Sequence, residues 1–168
     1  MAAASTETDL RAFAGRYIAA WNAGDTEALA ELVTDDVVWA DPALPQPFRG
    51  VAEVQEFMRT SVRAFPDLRF SEPDPAHLLA SGSVAVWAWV MEGTMRGQVD
   101  PPGFAPTGRR MRVEGVDVWQ LREGRIERYR AYYDMADLAR QLGLAPARGG
   151  SAERVAVALQ RMQARLRR

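Results

Sequence analysis

Met111-Arg-Val-Glu-Gly-Val-Asp-Val-Trp-Gln-Leu121 decides how the chain is read. With a period of two, Met111, Val113, Gly115, Asp117, Trp119 and Leu121 share one face, and Arg110, Arg112, Glu114, Val116, Val118 and Gln120 the other. That is a strand with one buried side, and it carries the Asp117 carboxylate among apolar neighbours. An unpaired buried charge costs several kcal/mol, so Asp117 must find a hydrogen-bond partner, raise its pKa or line a cavity. A structural ion pair or a loop cap is the alternative.

Working outward, Glu123-Gly124 reads as a two-residue hairpin turn joining this strand to a second at Arg125 to Asp134. Upstream, period-two stretches predict strands at Leu68 to Glu72, His77 to Ala80 and Ser83 to Thr94. In the last of these Ala85, Trp87, Trp89 and Met91 form one face and Val84, Val86, Ala88 and Val90 the other, so both faces read as covered. Arg96 to Arg109, with Pro101-Pro102-Gly103-Phe104 and Pro106-Thr-Gly108, reads as a loop over one end of the sheet.

The N-terminal third is helical. Leu10, Phe13, Ala14, Tyr17, Ile18 and Trp21 recur at helical spacing after a Thr6-x-x-Asp9 start that resembles a capping box, and Asn22-Ala23-Gly24 supplies the stop. Asp25 is placed to cap a short second helix carrying Leu29, Leu32 and Val33 and ending before Thr34-Asp35-Asp36. Val37 to Asp41 reads as a short strand running into the proline-rich loop Pro42 to Phe48. A third helix follows Gly50, with Val51, Val54, Phe57, Met58, Val62 and Phe65 on one side and Pro66 closing it. Helices followed by strands predict an α+β fold with a largely antiparallel sheet. After Asp134 a short helix carries Met135, Leu138 and Leu142. The expected organisation is one domain over 1–143, a linker over 144–150 and a basic amphipathic helix over 151–168, with Val155, Leu159, Met162 and Leu166 as a narrow apolar stripe. That helix is expected to pack on its own body or on a partner subunit; an interaction module is the other reading.

Composition narrows the chemistry. At 168 residues and 48% hydrophobic content the chain suits a single domain with a real core. A net charge of -1 and a pI near 5.9 give no electrostatic footing for nucleic acid. There is no cysteine, so a disulfide, a thiolate nucleophile and a Cys-based zinc site are ruled out. All 21 cationic residues are Arg, which excludes Schiff-base aldol chemistry, a pyridoxal lysine and a P-loop lysine. His77 is the sole histidine and cannot build a multi-His metal site. The N-terminus lacks the features of a signal peptide, and Val84 to Met91 is too short an apolar run to cross a membrane. A cytoplasmic protein with no membrane partner, no metal and no organic cofactor is expected, and any carbonyl chemistry must be non-covalent acid-base work.

Trp21-Asn-Ala-Gly-Asp25, Val38-Trp-Ala-Asp-Pro42, Phe65-Pro-Asp-Leu-Arg-Phe70, Pro106-Thr-Gly-Arg109, Gly115-Val-Asp-Val118 and Tyr132-Tyr-Asp134 occur in an order and spacing that resembles the nuclear transport factor 2-like superfamily. Within it the chain looks most like the SnoaL-like polyketide cyclases, from about Leu10 to Gly143. The resemblance implies a cone-shaped, curved, mixed or antiparallel sheet wrapped around the N-terminal helices, one deep apolar pocket, and homodimers formed through the outer sheet face. In the cyclases the carboxylate matching Asp117 is the acid-base residue of an intramolecular aldol closure. Ketosteroid isomerases resemble the same early segments, and there a Tyr, an Asp before Pro and a sheet Asp do the chemistry; Tyr17, Asp41 and Asp117 fall on those positions. That isomerase is a worked case in which one Asp is the base while the Tyr and a protonated Asp donate to the enolate oxygen. The catalytic set implied is Asp117, Asp41 and Tyr17. Trp39, Phe57, Trp89, Met91, Met95, Phe104, Trp119, Tyr129 and Tyr133 are expected to hold an apolar small molecule bearing a carbonyl. Many cyclase relatives carry His where this chain has Ala40, Met95 and Tyr129. Gln98 and Ala131 stand where limonene epoxide hydrolases keep part of an Asp-Arg-Asp set, which argues against epoxide opening. The implied activity is aldol-type ring closure, with double-bond isomerisation or simple binding of an apolar molecule as alternatives.

Overall fold

The computed structural model describes residues 7–73 and 77–166. Thr6, the expected partner of Asp9 in a capping box, lies outside the described residues. Helix α1 (Glu7–Ala23) buries Leu10, Phe13, Ala14, Tyr17, Ala20 and Trp21 along one stripe. It ends at Gly24, whose φ of +64° is left-handed and cheap only for glycine. The Asp25 carboxylate then accepts from the backbone N–H groups of Glu27 and Ala28 and starts α2 (Thr26–Glu31).

Here the structure departs from expectation. The second helix stops at Glu31, and strand β1 (Val33–Ala40) begins at Val33 instead of at Val37. Val33 and Thr34 are β-branched, and Val33 pairs in parallel with Ile126 of strand β7 (Arg125–Tyr133), whose Ile126 N–H donates to Leu32 O at 2.8 Å. Tertiary pairing outweighs the local helical pattern. A break in register between Val33 and Val38 lifts Asp35 and Asp36 into solvent, where Asp36 pairs with Arg122. The proline-rich loop also ends in a two-residue strand, β2 (Phe48–Arg49), paired antiparallel to β1.

Helix α3 (Val51–Ala64) covers one side of the sheet with Val54 and Met58 fully buried. The remaining strands are β3 (Arg69–Ser71), β4 (Leu78–Ser81), β5 (Val84–Thr94) and β6 (Arg110–Arg122). The sheet order is β2-β1-β7-β6-β5-β3, with β4 also paired to β5; β1 and β7 run parallel and every other pair is antiparallel. This is an α+β fold with a mixed, curled sheet around the N-terminal helices. The β6–β7 turn at Glu123-Gly124 has positive φ at both residues, +53° and +75°, as a type I′ hairpin requires.

Helices cover one sheet face. Ala85, Trp87 and Trp89 are therefore buried, whereas on the other face Val84 is exposed, Val86 and Ala88 are half-buried and Val90 alone is buried; the expectation that both faces of β5 are covered holds only toward its C-terminal end. After α4 (Met135–Gln141), capped by the Asp134 carboxylate accepting from Asp137 N–H, Gly143 takes a left-handed φ of +74°. Helix α5 (Ser151–Leu166) buries none of its residues, and Val155, Leu159, Met162 and Leu166 are each more than half exposed. It does not pack on its own body. Deleting residues 150–168 should therefore leave the thermal midpoint within about 2 °C of the full chain, since exposed surface away from packing contributes little. A larger drop in calorimetry would mean that the helix is held by the body or by a partner in solution. No helix among the described residues is long and apolar enough to cross a membrane.

Candidate active site

The inner face of β6 points Met111, Val113, Asp117 and Trp119 inward, and Asp117 is 1% exposed. Its Oδ1 accepts two hydrogen bonds, from Trp89 Nε1 at 2.7 Å and from the Tyr129 hydroxyl at 2.8 Å. The route by which Trp89 arrives is local. Trp89 pairs with Gly115, two residues from Asp117, and a Cβ at Gly115 would stand 2.5 Å from the Trp89 ring and 2.8 Å from Tyr132 O. Only a residue without a side chain lets the indole lie flat across β6 and reach the carboxyl. Tyr129 is opposite Trp119 on β7, and its ring stacks on Trp39 at 3.6 Å with an 8° interplanar angle.

Burial pushes the Asp117 carboxyl up to about 7, against the opposing pull of the bonds from Trp89 and Tyr129. Nearby Asp41 adds to the rise. The hydroxyls of Tyr17 and Tyr129 are driven well above the usual tyrosine range, by burial first and the Asp117 charge second, so both remain neutral donors. Tyr17 is 2% exposed, with Trp119, Trp87, Trp39 and Trp21 rings 5.0 to 6.5 Å away. The indole N–H of Trp39 is buried without a hydrogen-bond partner among the described residues, while those of Trp21 and Trp119 are directed at the Tyr17 hydroxyl and the Asp117 carboxyl.

Asp41 follows the last residue of β1. Its Oδ1 accepts from Ala43 N–H at 2.8 Å, which folds the start of the proline-rich loop as an Asx turn, and from the Tyr133 hydroxyl at 2.8 Å. Burial raises its carboxyl above the ordinary range, and these two donors oppose the rise. Burial likewise raises the Tyr133 hydroxyl, with the Asp41 charge second.

These groups surround a cavity of about 320 Å³ between α1, α3, the sheet and the 97–109 loop. Its walls are mainly apolar, and its polar borders include Asp41, Tyr17, Tyr129 and Tyr133, with Glu56, Thr60, Ser61 and Asp100 also present. No arginine among the described residues lines it, although the chain carries 21. Any negative charge developing on a bound molecule must therefore be met by neutral donors, for which the lining offers the hydroxyls of the tyrosines, Thr60 and Ser61.

Of the residues expected from the sequence, Tyr17, Asp41, Phe57, Trp89, Met91, Phe104, Tyr129 and Tyr133 line the cavity. Four do not. Asp117 lies behind Trp89 and Tyr129. Trp39 is fully buried beneath the Tyr129 ring, and Trp119 is sealed against Phe13, Tyr17 and Trp87. Met95 is buried at the base of the 97–109 loop, its backbone bonded to Arg109 and Gly108 and its sulfur accepting from the Thr107 hydroxyl at 3.6 Å. All three apolar side chains are core, because an inward position on a curled sheet meets helix near one end and cavity near the other. Sequence reasoning missed Trp21, Phe48, Phe70 and Leu142 as cavity walls. Helical or strand periodicity marked an inward face for Trp21, Phe70 and Leu142 without saying what that face meets, and Phe48 was read as the end of the proline-rich loop. The loop from Val99 to Phe104, read as a connection over one end of the sheet, closes part of the cavity with Val99, Pro101, Pro102 and Phe104.

A family model described as SnoaL-like polyketide cyclase matches residues 11–142. Among solved structures, TsrD from Streptomyces laurentii is 23% identical with a TM-score of 0.71, over 83% of this chain and 98% of that one. A protein from Jannaschia sp. CCS1 assigned to the SnoaL-like polyketide cyclases is 17% identical with a TM-score of 0.73, over 87% of this chain and 99% of that one. A Catenulispora acidiphila protein with a ketosteroid isomerase-like fold, solved with trimethylamine, is 16% identical with a TM-score of 0.66, over 83% and 95% of the two chains. At these identities the structural likenesses establish the nuclear transport factor 2-like fold.

Proposed function

The chain belongs to the SnoaL-like polyketide cyclase family, and from that premise we propose that it is a cofactor-independent acid-base enzyme closing a ring in an apolar, enolisable carbonyl compound. The observation that carries this reading is a carboxylate, Asp41, on the border of an apolar cavity that holds tyrosine hydroxyls and no cation. Asp41 takes a proton from the carbon beside the carbonyl, and burial has already raised its basicity toward that task. The enolate oxygen is met by neutral hydroxyls, Tyr17 among them, and the enolate carbon attacks a second carbonyl of the same molecule. Asp117 is the protonated group behind those hydroxyls. As Asp41 becomes neutral the substrate becomes anionic, so the cavity gains no net charge during the step. Phe57, Trp89, Met91, Phe104 and Tyr133 hold the apolar rings. Double-bond isomerisation uses the same first step, with the proton returned to another carbon. The half-buried Val86 and Ala88 and the exposed Val84 and Tyr132 on the outer sheet face suit a homodimer contact.

The test uses 2-naphthol, whose ionised form mimics an enolate. Absorbance is followed across pH in wild type, Asp41→Asn and Tyr17→Phe. Asn at Asp41 imitates the protonated base, so the bound naphtholate fraction should rise there. It should fall by about tenfold or more when the Tyr17 donor is lost. Naphthol that binds without ionising in any variant would leave a non-catalytic binder of apolar molecules as the function.

A further inference from the structure

Asp117 has no surface in the cavity, yet the reading above needs it to influence a bound oxyanion. Its two hydrogen bonds both end on residues that line the cavity, Trp89 and Tyr129. An indole N–H is a donor only, with no free lone pair to take a proton in return, whereas a phenol oxygen can give one proton and take another. Tyr129 is also the better fixed of the two tyrosines beside Asp117. It makes a 2.8 Å bond to the carboxyl and is clamped flat on Trp39 at 3.6 Å.

We propose that Tyr129 is a catalytic residue, the proton donor to the oxygen that becomes anionic at ring closure, and that the buried Asp117 carboxyl acts only through it. This rests on the enolate chemistry proposed above. The Tyr129 O–H bond breaks as the product O–H bond forms, and the Asp117 O–H bond breaks as the Tyr129 O–H bond is remade. Asp117 ends as the carboxylate, and Asp41, having taken the C–H proton, ends as the acid. Protons and charge balance within the site, and the cycle closes when the Asp41 proton is returned to Asp117. The burial that holds a proton on Asp117 near neutrality supplies the donor at rest. While Asp117 is protonated it can donate to the Tyr129 oxygen, which frees the Tyr129 hydrogen for the cavity; the ionised carboxylate would turn that hydrogen back on itself.

The experiment is a double-mutant cycle on 2-naphtholate affinity in the Asp41→Asn protein. Asp117→Ala, which removes the donor where Asn would imitate the protonated carboxyl, should weaken naphtholate about tenfold or more while Tyr129 is present, and by less than about twofold once Tyr129→Phe has been made. Phe keeps the ring stacked on Trp39, and melting curves verify that each variant folds. If Asp117→Ala costs the same factor in both backgrounds, or nothing in either, the relay through Tyr129 is wrong although the oxyanion site stands. If no variant binds naphtholate, the enolate reading falls and the relay with it. A second readout needs no change at Asp117: the far-downfield hydroxyl proton resonances of the naphtholate complex should lose one member in Tyr129→Phe, and an unchanged set would overturn the proposal.

Discussion

Asp41→Asn is expected to slow hydrogen exchange at the carbon beside a bound carbonyl by roughly 10² to 10⁴-fold, the range a positioned general base supplies. Deuterium uptake into 2-tetralone, an apolar enolisable ketone, measures this by proton NMR without knowledge of the natural substrate. Asn keeps an oxygen to accept from Ala43 N–H and the Tyr133 hydroxyl, both now at 2.8 Å from Oδ1, so the loop after β1 should survive the change. Two other carboxylates line the cavity and serve as controls. Glu56 is 57% exposed and paired with Arg59 at 3.0 Å, and Asp100 is exposed on the 97–109 loop. Glu56→Gln and Asp100→Asn should leave exchange within about twofold, since both side chains stand in solvent at the rim of the cavity. An Asp41→Asn protein that exchanges at the wild-type rate would reduce Asp41 to the cap of an Asx turn.

The pH dependence of stability should carry a large and unusual contribution from Asp117. Burial raises its carboxyl from 3.8 to about 7. Between those values the folded chain keeps a proton that the unfolded chain has released. The stability from this group is thus fully present below about pH 4, is lost as pH rises toward 7, and is flat above it. A shift of that size amounts to about 4 kcal/mol. Asp41, also raised, acts in the same sense. Asp36, Asp67 and Asp134 are lowered by hydrogen bonds and act in the opposite sense, but they are exposed and screened. The contribution is isolated by subtracting urea midpoints of Asp117→Asn from those of wild type at each pH. The difference should move steadily against wild type from pH 4 to 7. Its value at any one pH also contains the cost of burying an amide N–H₂, so the slope is the informative quantity. A flat difference would mean that Asp117 titrates as an ordinary carboxylate.

Much of the site could be read along the chain because it depends on short-range rules. Alternation in β6 put Asp117 on the buried face. Gly24 and the Glu123-Gly124 turn lie where the backbone needs positive φ. Asp41 stood at a strand end before prolines that neither strand nor helix accepts. The α2–β1 boundary was not legible, since Leu32-Val33 continues a helical stripe and only the partner Ile126 makes it strand.

Tyr129 gives the sharpest contrast. A two-residue turn pairs Arg122 with Arg125 and Leu121 with Ile126, and continued without interruption it would set Tyr129 opposite Val118 on the outer face. The bulge between Gln120 and Leu121 shifts the register by one, so Tyr129 faces Trp119 and its hydroxyl turns toward Asp117. Gly115 is similar: a glycine within a strand signals a close approach, but that Trp89 makes it, and carries its N–H to the carboxyl, depends on two strands meeting. The sequence by itself determined the helices-then-sheet architecture, the inward face of each long strand and the buried carboxylate, because periodicity and backbone conformation are local. Which inward side chains meet a cavity and which meet core, and which tyrosine reaches Asp117, were decided by sheet register and curvature, because those set distances between residues far apart in the chain.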